Sequence, residues 1–507
     1  MFIFISKIDR DSRLLVLFVL FSILFSVLSV NKYDSIHSTY MDLGYLAHVI
    51  NGINLSTWSQ IYYVHFQPIM LLFAWIDENS IVYALLIFQS ILLSFPIYLF
   101  GKYYGSIAAT AYVLYFPVWF NALFDFHFDS ATPLILLYFF ISLLRGRLFL
   151  ACVFSVSLVF IKEVFLFQTI ACGFYLIFFK QKNIDSNIRK ITGLSMIVLG
   201  AVLFITIYKV LILQFFNIER LFTDESFSWM GDSFVDVLYN LFTIPISLFS
   251  EIVGTPKKII YFALLFLPLA FIPLLSLRPI LIAIPIILIS LLSKNPEHYS
   301  YGAHYTAGII TPLIIAFSEG VRKVVRIFDR KKILNKVFIP ILVLYMLFIN
   351  YYISPSPISK IFWSEKIWSY SYKSYFLTER DEMIKSAISK HIPKDVSVVI
   401  SFQNTINISS IFLRENILVF PEGVLTKAKS PNFEKNGWSS VKADIVVIDK
   451  KRPWFIYDKG CDWIYGKCTN ARMANEYLGW VEKAKSIMKV VFEKDGFIIL
   501  KRNNNGE

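Results

Sequence analysis

The sequence predicts a polytopic α-helical membrane protein of about eleven transmembrane helices with interfacial helices, followed by a small C-terminal extracytoplasmic α/β domain. Three observations carry that expectation. Of 507 residues, 56% are hydrophobic and 17% charged, against roughly 25% charged in a soluble domain. The mean hydropathy is +0.59, and the apolar residues fall in long blocks rather than strand-sized runs. After residue 353 the pattern changes to short β-rich runs between polar helices. An ordinary cytosolic enzyme and a disordered chain are both excluded. The net charge of +13 sits mostly between apolar blocks, as the positive-inside rule arranges it, so nucleic acid is not an expected partner.

Lys7, Arg10 and Arg13 precede an apolar run from Leu14 to Val30 that ends without a convincing cleavage site. It reads as an uncleaved first span with a cytoplasmic N-terminus. Further blocks lie near 80–100, 105–121, 131–144, 147–161, 164–179, 191–215, 259–275, 279–293, 304–318 and 334–353. Several are short against the ~20 residues a crossing helix needs. The block 241–253 carries Glu251 and is read as interfacial, because a crossing there would put the cluster Arg322, Lys323, Arg326, Arg330, Lys331 and Lys332 outside. The cytoplasmic loops are then short and basic. The external side holds 31–67, 121–130, Lys162-Glu163, 217–240 and 294–303.

These boundaries give a transmembrane domain over 1–353, a linker over 354–378 containing Pro355 and Pro357, and a soluble module over 379–507. Helices are expected at Glu379 to His391 and Ala471 to Met488. Strands are expected at Val396 to Ser401, Ile417 to Phe420, Asp444 to Asp449, Val490 to Glu493 and Phe497 to Lys501. Of four cysteines, Cys152 and Cys172 lie in apolar blocks as packing residues. Cys461 and Cys468 are expected to form a disulfide in an external domain.

Ionisable residues at membrane depth are costly, roughly 2.5–3.5 kcal/mol on insertion scales. Those beside the external ends of spans are therefore functional candidates. Asp42, in Thr39-Tyr40-Met41-Asp42-Leu43-Gly44, is either the N-cap of a helix from Leu43 to Ile50 or a reactive carboxylate. His65 stands before Phe66-Gln67-Pro68. Phe124-Asp125-Phe126-His127-Phe128-Asp129 alternates ionisable groups with phenylalanines; such groups can share a divalent cation, act as acid and base, or cap a helix. Lys162-Glu163 is either a snorkelling pair or a point charge for phosphate with its orienting carboxylate. His298 through Tyr305 concentrates aromatics with His298 and His304. An aromatic belt accounts for the tyrosines but not for His304.

In order, Asp42-Leu43-Gly44, His65-Phe66-Gln67-Pro68, Asp125-Phe126-His127, Lys162-Glu163 and His304-Tyr305-Thr306-Ala307 resemble the motifs of a family of polytopic membrane proteins grouped with the GT-C glycosyltransferases. The resemblance covers about residues 38–320. Ala443 to Asp449 and Asp495 to Leu500 resemble the family's tail. The resemblance implies an enzyme of the plasma (inner) membrane, serving the cell envelope. It would transfer a sugar from a polyprenyl-phosphate donor to a glycan, lipid or protein acceptor on the outer side. It implies Asp42 as catalytic acidic residue in the first external loop and Asp125 as a second.

Lys162 would neutralise the leaving phosphate, with Glu163, His65, His304 and Tyr305 on the substrates. Asp42, Asp125 and His127 are the candidate ligands of a divalent Mg or Mn ion. The Trp-Trp-Asp motif of oligosaccharyltransferases is missing, which argues against en bloc transfer to asparagine. Neither Gly-x-Gly-x-x-Gly nor Gly-x4-Gly-Lys-Ser/Thr occurs, which disfavours a nucleotide-sugar donor. The competing expectations are a transporter or flippase of lipid-linked saccharide and an assembly protein that binds through its C-terminal domain.

Overall fold

The structure is a computed structural model. It describes residues 9–38, 43–53, 65–77, 80–209, 226–300, 302, 304–328, 332–364, 370–392, 400–402, 417–419, 424–425, 428–432, 437–441, 444–451, 461–462, 467–468 and 471–502. The chain divides into two compact units. One comprises Met1–Ser26, Ser59–Leu72 and Ile87–Ile361; the other comprises Val27–Trp58, Phe73–Leu86 and Phe362–Glu507.

The first unit is helical. Among the described residues, Arg10–Asp34, Ile81–Tyr103, Ser186–Lys209 and Lys336–Ile353 are long and apolar enough to cross a membrane. Two further pairs qualify only as bent spans, Ser106–Leu114 with Phe116–Leu123 at 54° and Val235–Thr243 with Pro245–Val253 at 89°. Each bend falls where a proline opens the second helix, Pro117 and Pro245, since proline suits a first turn but breaks the preceding ladder. Thus the block expected to be interfacial is the second arm of a right-angled helix pair. Four other apolar helices have 10–17 residues, so they measure about 15–25 Å against a hydrocarbon core of ~30 Å. By length and composition the structure accounts for four to six spans.

Close packing shapes the unit. Helices Leu166–Phe178 and Ser186–Thr206 touch through Gly173 and Gly193, where a Cβ on either residue would lie 2.6 Å from the other's carbonyl oxygen. Small residues at such crossings let helices approach without a hydrophobic drive, as in bilayers. Gly105, at φ +100°, lets the chain reverse after Tyr103.

The unit has two chemically different ends. At one, Lys102 pairs with Asp11 at 2.8 Å, and Arg145 hydrogen-bonds the Tyr103 hydroxyl. There Arg189 donates to the Ile177 and Phe179 carbonyls at 3.0 Å, and Lys323 to the Leu275 carbonyl at 2.7 Å. These cations satisfy or flank the last carbonyls of helices. The opposite ends of several of the same helices carry the acidic and histidine motifs.

The second unit contains helix Tyr45–Gly52, whose N-cap is Gly44 with no side-chain cap. The chain is already helical at Leu43 and Gly44, as a π turn leading into this helix, in line with the helix expected from Leu43, and Asp42, its expected cap, lies outside the described residues. The unit's five-stranded mixed sheet runs in the order Ile417–Val419, Ile400–Phe402, Ile445–Asp449, Phe497–Lys501, Lys489–Lys494. The first three strands are parallel and the last two pairings antiparallel. Asp495 and Gly496, at φ +50° and +79°, make the two-residue turn of the final hairpin, as a primed turn requires.

Helix Glu379–His391 spans the expected residues and begins with a Thr378/Asp381 capping box. Its Arg380 binds the buried Asp449 carboxylate through two nitrogens at 3.0 and 2.7 Å. Two small hairpins were not anticipated. Ala428–Asn432 pairs with Gly437–Val441, and Cys461–Asp462 pairs with Lys467–Cys468.

Candidate functional site in the helical unit

Helix Phe116–Leu123 ends at Phe124, and the chain passes through Asp125 to His127 into the 3-10 turn Phe128–Ala131 before helix Thr132–Leu144. Gln89, buried within Ile81–Tyr103, holds this crossing. Its amide nitrogen donates to the Asp125 carbonyl, and its oxygen accepts the His127 N–H at 2.9 Å. Asn121 donates to the Thr306 hydroxyl at 2.9 Å, fastening the turn His304–Thr306 alongside. As a result the His127 and His304 rings stack with centroids 3.4 Å apart and planes 13° apart.

Around that stack lie Tyr305, whose ring meets those of His304 at 4.1 Å and His298 at 4.7 Å, and Asp129, whose Oδ2 is 3.6 Å from His304 Nε2. The last distance exceeds a hydrogen bond. Among the described residues, His304 Nδ1 is buried without a hydrogen-bond partner. Burial, then the nearby His127, Lys162, His298 and His65, holds the His304 imidazole well below its usual value. His298 is pushed down to about 4, first by burial and then by Lys162 and His65. Both rings are therefore neutral near pH 7. Ser293 Oγ lies 2.8 Å from His298 Nδ1 and fixes that ring.

The helical ladder breaks between Leu148–Ser157 and Leu166–Phe178, leaving two 3-10 turns joined through an extended Lys162. Glu163, 2% exposed, is fully engaged. Its Oε1 accepts His65 Nδ1–H at 2.7 Å, and its Oε2 accepts the Phe66 N–H at 2.8 Å. Lys162 is only 9% exposed. Among the described residues, its ammonium has no hydrogen bond and no ion pair. A nearly buried cation without a counter-ion is costly unless a ligand supplies one.

The first unit thus brings together His65, Lys162, Glu163, His127, His298, His304 and Tyr305, with Asp125 and Asp129 buried beside them. Asp42 is not among the residues described. Sequence reasoning missed Gln89 as the brace of the Asp125–His127 crossing; its only local signal is a Gln-Ser pair in an apolar run. It quoted Asp129 and His298 without assigning them. Of the residues expected to share a cation, Asp42 lies outside the described residues. Among the described residues, no group of three His, Cys, Asp or Glu is disposed to hold an ion.

A family model described as Predicted membrane protein (DUF2079) matches residues 33–457. No curated protein and no solved structure matches the chain. The matched stretch takes in every residue of the cluster, and the chain belongs to this family of membrane proteins.

Proposed function

We propose that the chain is a GT-C-type glycosyltransferase of the plasma (inner) membrane that takes a sugar from a polyprenyl-phosphate donor and passes it to an acceptor on the outer side. The observation that supports this reading is Lys162, a nine-tenths-buried lysine with no described counter-ion beside the neutral imidazoles of His298 and His304. The phosphodiester of the donor, and then the phosphate monoester that leaves, supplies the missing charge. Glu163 is committed to His65 and Phe66, so it holds the turn and leaves Lys162 to the ligand.

In the reaction the acceptor hydroxyl oxygen attacks the anomeric carbon and the bond from that carbon to the phosphate oxygen breaks. The electron pair leaves with the carrier phosphate, whose charge Lys162 balances. A carboxylate takes the hydroxyl proton, Asp42 first and Asp125 second. The basic end of the helical unit is assigned to the cytoplasm with the N-terminus, which puts the cluster outside. The eleven-span threading and the external C-terminal domain belong to the same proposal.

One observation favours the second reading, a transporter or flippase of lipid-linked saccharide. The helix pairs bent by 54° and 89° resemble the discontinuous helices of transporters. Purified protein in vesicles with a labelled polyprenyl-phosphate sugar separates the two. Transfer of label to an acceptor, abolished by Asp42→Asn with insertion intact, is the expected result. Movement of intact donor across the bilayer without bond cleavage would replace the enzyme by a transporter.

A further inference from the structure

A second charged cluster lies in the helical unit, built on the right-angled helix pair. Glu251, on Pro245–Val253, accepts Lys258 at 2.9 Å on one oxygen and Lys294 at 2.6 Å on the other. Two ammoniums against one carboxylate leave one positive charge. The two lysines differ in access. Lys258 is 1% exposed and lies over the Tyr299 ring, whereas the Lys294 side chain is 46% exposed and lies over Trp229. Lys257, next to Lys258 in the sequence, is exposed.

The positive-inside rule does not account for these lysines. Lys294 follows the end of helix Leu277–Leu292 opposite Arg278, and Ser293 of that end holds His298. Arg278 sits over Phe179 with the basic end. The cluster therefore shares the end that carries the histidines. Its own helix pair presents large apolar side chains outward, with Phe242 83%, Ile246 81% and Phe249 68% exposed. Exposed apolar groups on one short amphipathic element, with a surplus cation held against its Glu251, match the two parts of an acidic lipid.

We propose that Lys294, steadied by Glu251, and the exposed Lys257 bind the phosphodiester headgroup of an anionic phospholipid whose acyl chains lie along the apolar face of 234–253. Lys258 is buried by its partners and acts as the anchor. Lys294 is open to a headgroup arriving from the bilayer, which distinguishes this site from the enclosed Lys162. The inference stands whether or not the chain transfers sugar.

The test titrates delipidated full-length protein with phosphatidylglycerol, phosphatidylcholine or polyprenyl phosphate and counts retained lipid by native mass spectrometry. Wild type should prefer phosphatidylglycerol over phosphatidylcholine. At about fivefold per surface lysine, Lys294→Gln should weaken that preference about fivefold and the double variant with Lys257→Gln roughly 25-fold. Polyprenyl phosphate binding should be unchanged. An undiminished preference in the double variant overturns the proposal, as does a loss confined to polyprenyl phosphate. Should the double variant lose helical content, the wild type still decides. Brominated phosphatidylglycerol should quench the part of the emission that Trp229→Phe removes, and brominated phosphatidylcholine quenching it equally would overturn the proposal.

Discussion

Replacing Lys162 by methionine should move stability and function in opposite directions. Methionine keeps most of the volume and removes the charge. In the ligand-free protein Lys162 is 9% exposed, and the adjacent carboxylate is held by His65 at 2.7 Å and by the Phe66 N–H at 2.8 Å. An unpartnered charge costs several kcal/mol when fully buried. Lys162 keeps slight access to solvent and feels the field of Glu163, so the relief from removing it is set at about 1–3 kcal/mol. Ligand-free Lys162→Met should therefore unfold at a higher temperature than wild type.

Adding a prenyl phosphate at a hundredfold its dissociation constant should stabilise wild type by about 2.7 kcal/mol. The variant, lacking a charge-assisted hydrogen bond of roughly 1.5–3 kcal/mol, should bind ~10–100-fold more weakly and shift little at the same concentration. Tryptophan fluorescence during heating in detergent, with and without the ligand, reads both effects. A variant less stable than wild type without ligand would make Lys162 a structural residue. Equal ligand-induced shifts would remove the phosphate from it.

Three further outcomes follow from the same geometry. Glu163→Ala strands the Phe66 N–H and His65 Nδ1–H and should cost about 2–4 kcal/mol. Glu163→Gln can serve both after a tautomer change at His65 and should cost about 1 kcal/mol or less, so equal losses in chemical denaturation would contradict the pairing. His298 binds its proton near pH 4 in the folded chain and near 6.5 when unfolded; the unfolded state therefore takes up more protons between these values. Stability should be full above pH 6.5 and fall as pH drops towards 4, and a His298→Gln variant keeping the whole acid slope would disprove that source. Cys461 and Cys468 are register partners, and antiparallel partners have Cα atoms about 4.5–5.5 Å apart, inside the disulfide window. Protein from an oxidising compartment should resist alkylation at both until reduced, and ready labelling of both would exclude the bridge.

How much of this was readable in advance depended on the range of the interactions. Helix Glu379–His391 was legible because Thr378 and Asp381 announce its start locally, and the closing hairpin because Asp495-Gly496 sits between two β-rich runs. The apolar blocks located the helices, but block length overstated continuity. Residues 105–121 read as one run, whereas Pro117 divides them into two helices at 54°. Gln89 could not be assigned from sequence, because its partners Asp125 and His127 lie 36 and 38 positions away. The same distance in sequence hid the role of Glu163, whose partner His65 is 98 residues earlier.

Lys162 and Glu163 show most directly why adjacency misled. Side by side in the sequence they look like a mutual pair. The chain instead leaves the helix after Ser157, and Lys162 adopts an extended conformation with φ −173° and ψ 139°. An extended residue sends its side chain away from that of its neighbour. The carboxylate is thereby delivered to the segment from His65, and the ammonium remains on the side whose electrostatics reach His298 and His304. The break thus separates a charge spent on holding the fold from a charge kept for an anion. A substitution that restored helix across 158–165 would withdraw the Glu163 carboxylate from His65 and Phe66 and turn the ammonium away from the histidines, abolishing the anion site without touching any group that contacts the ligand.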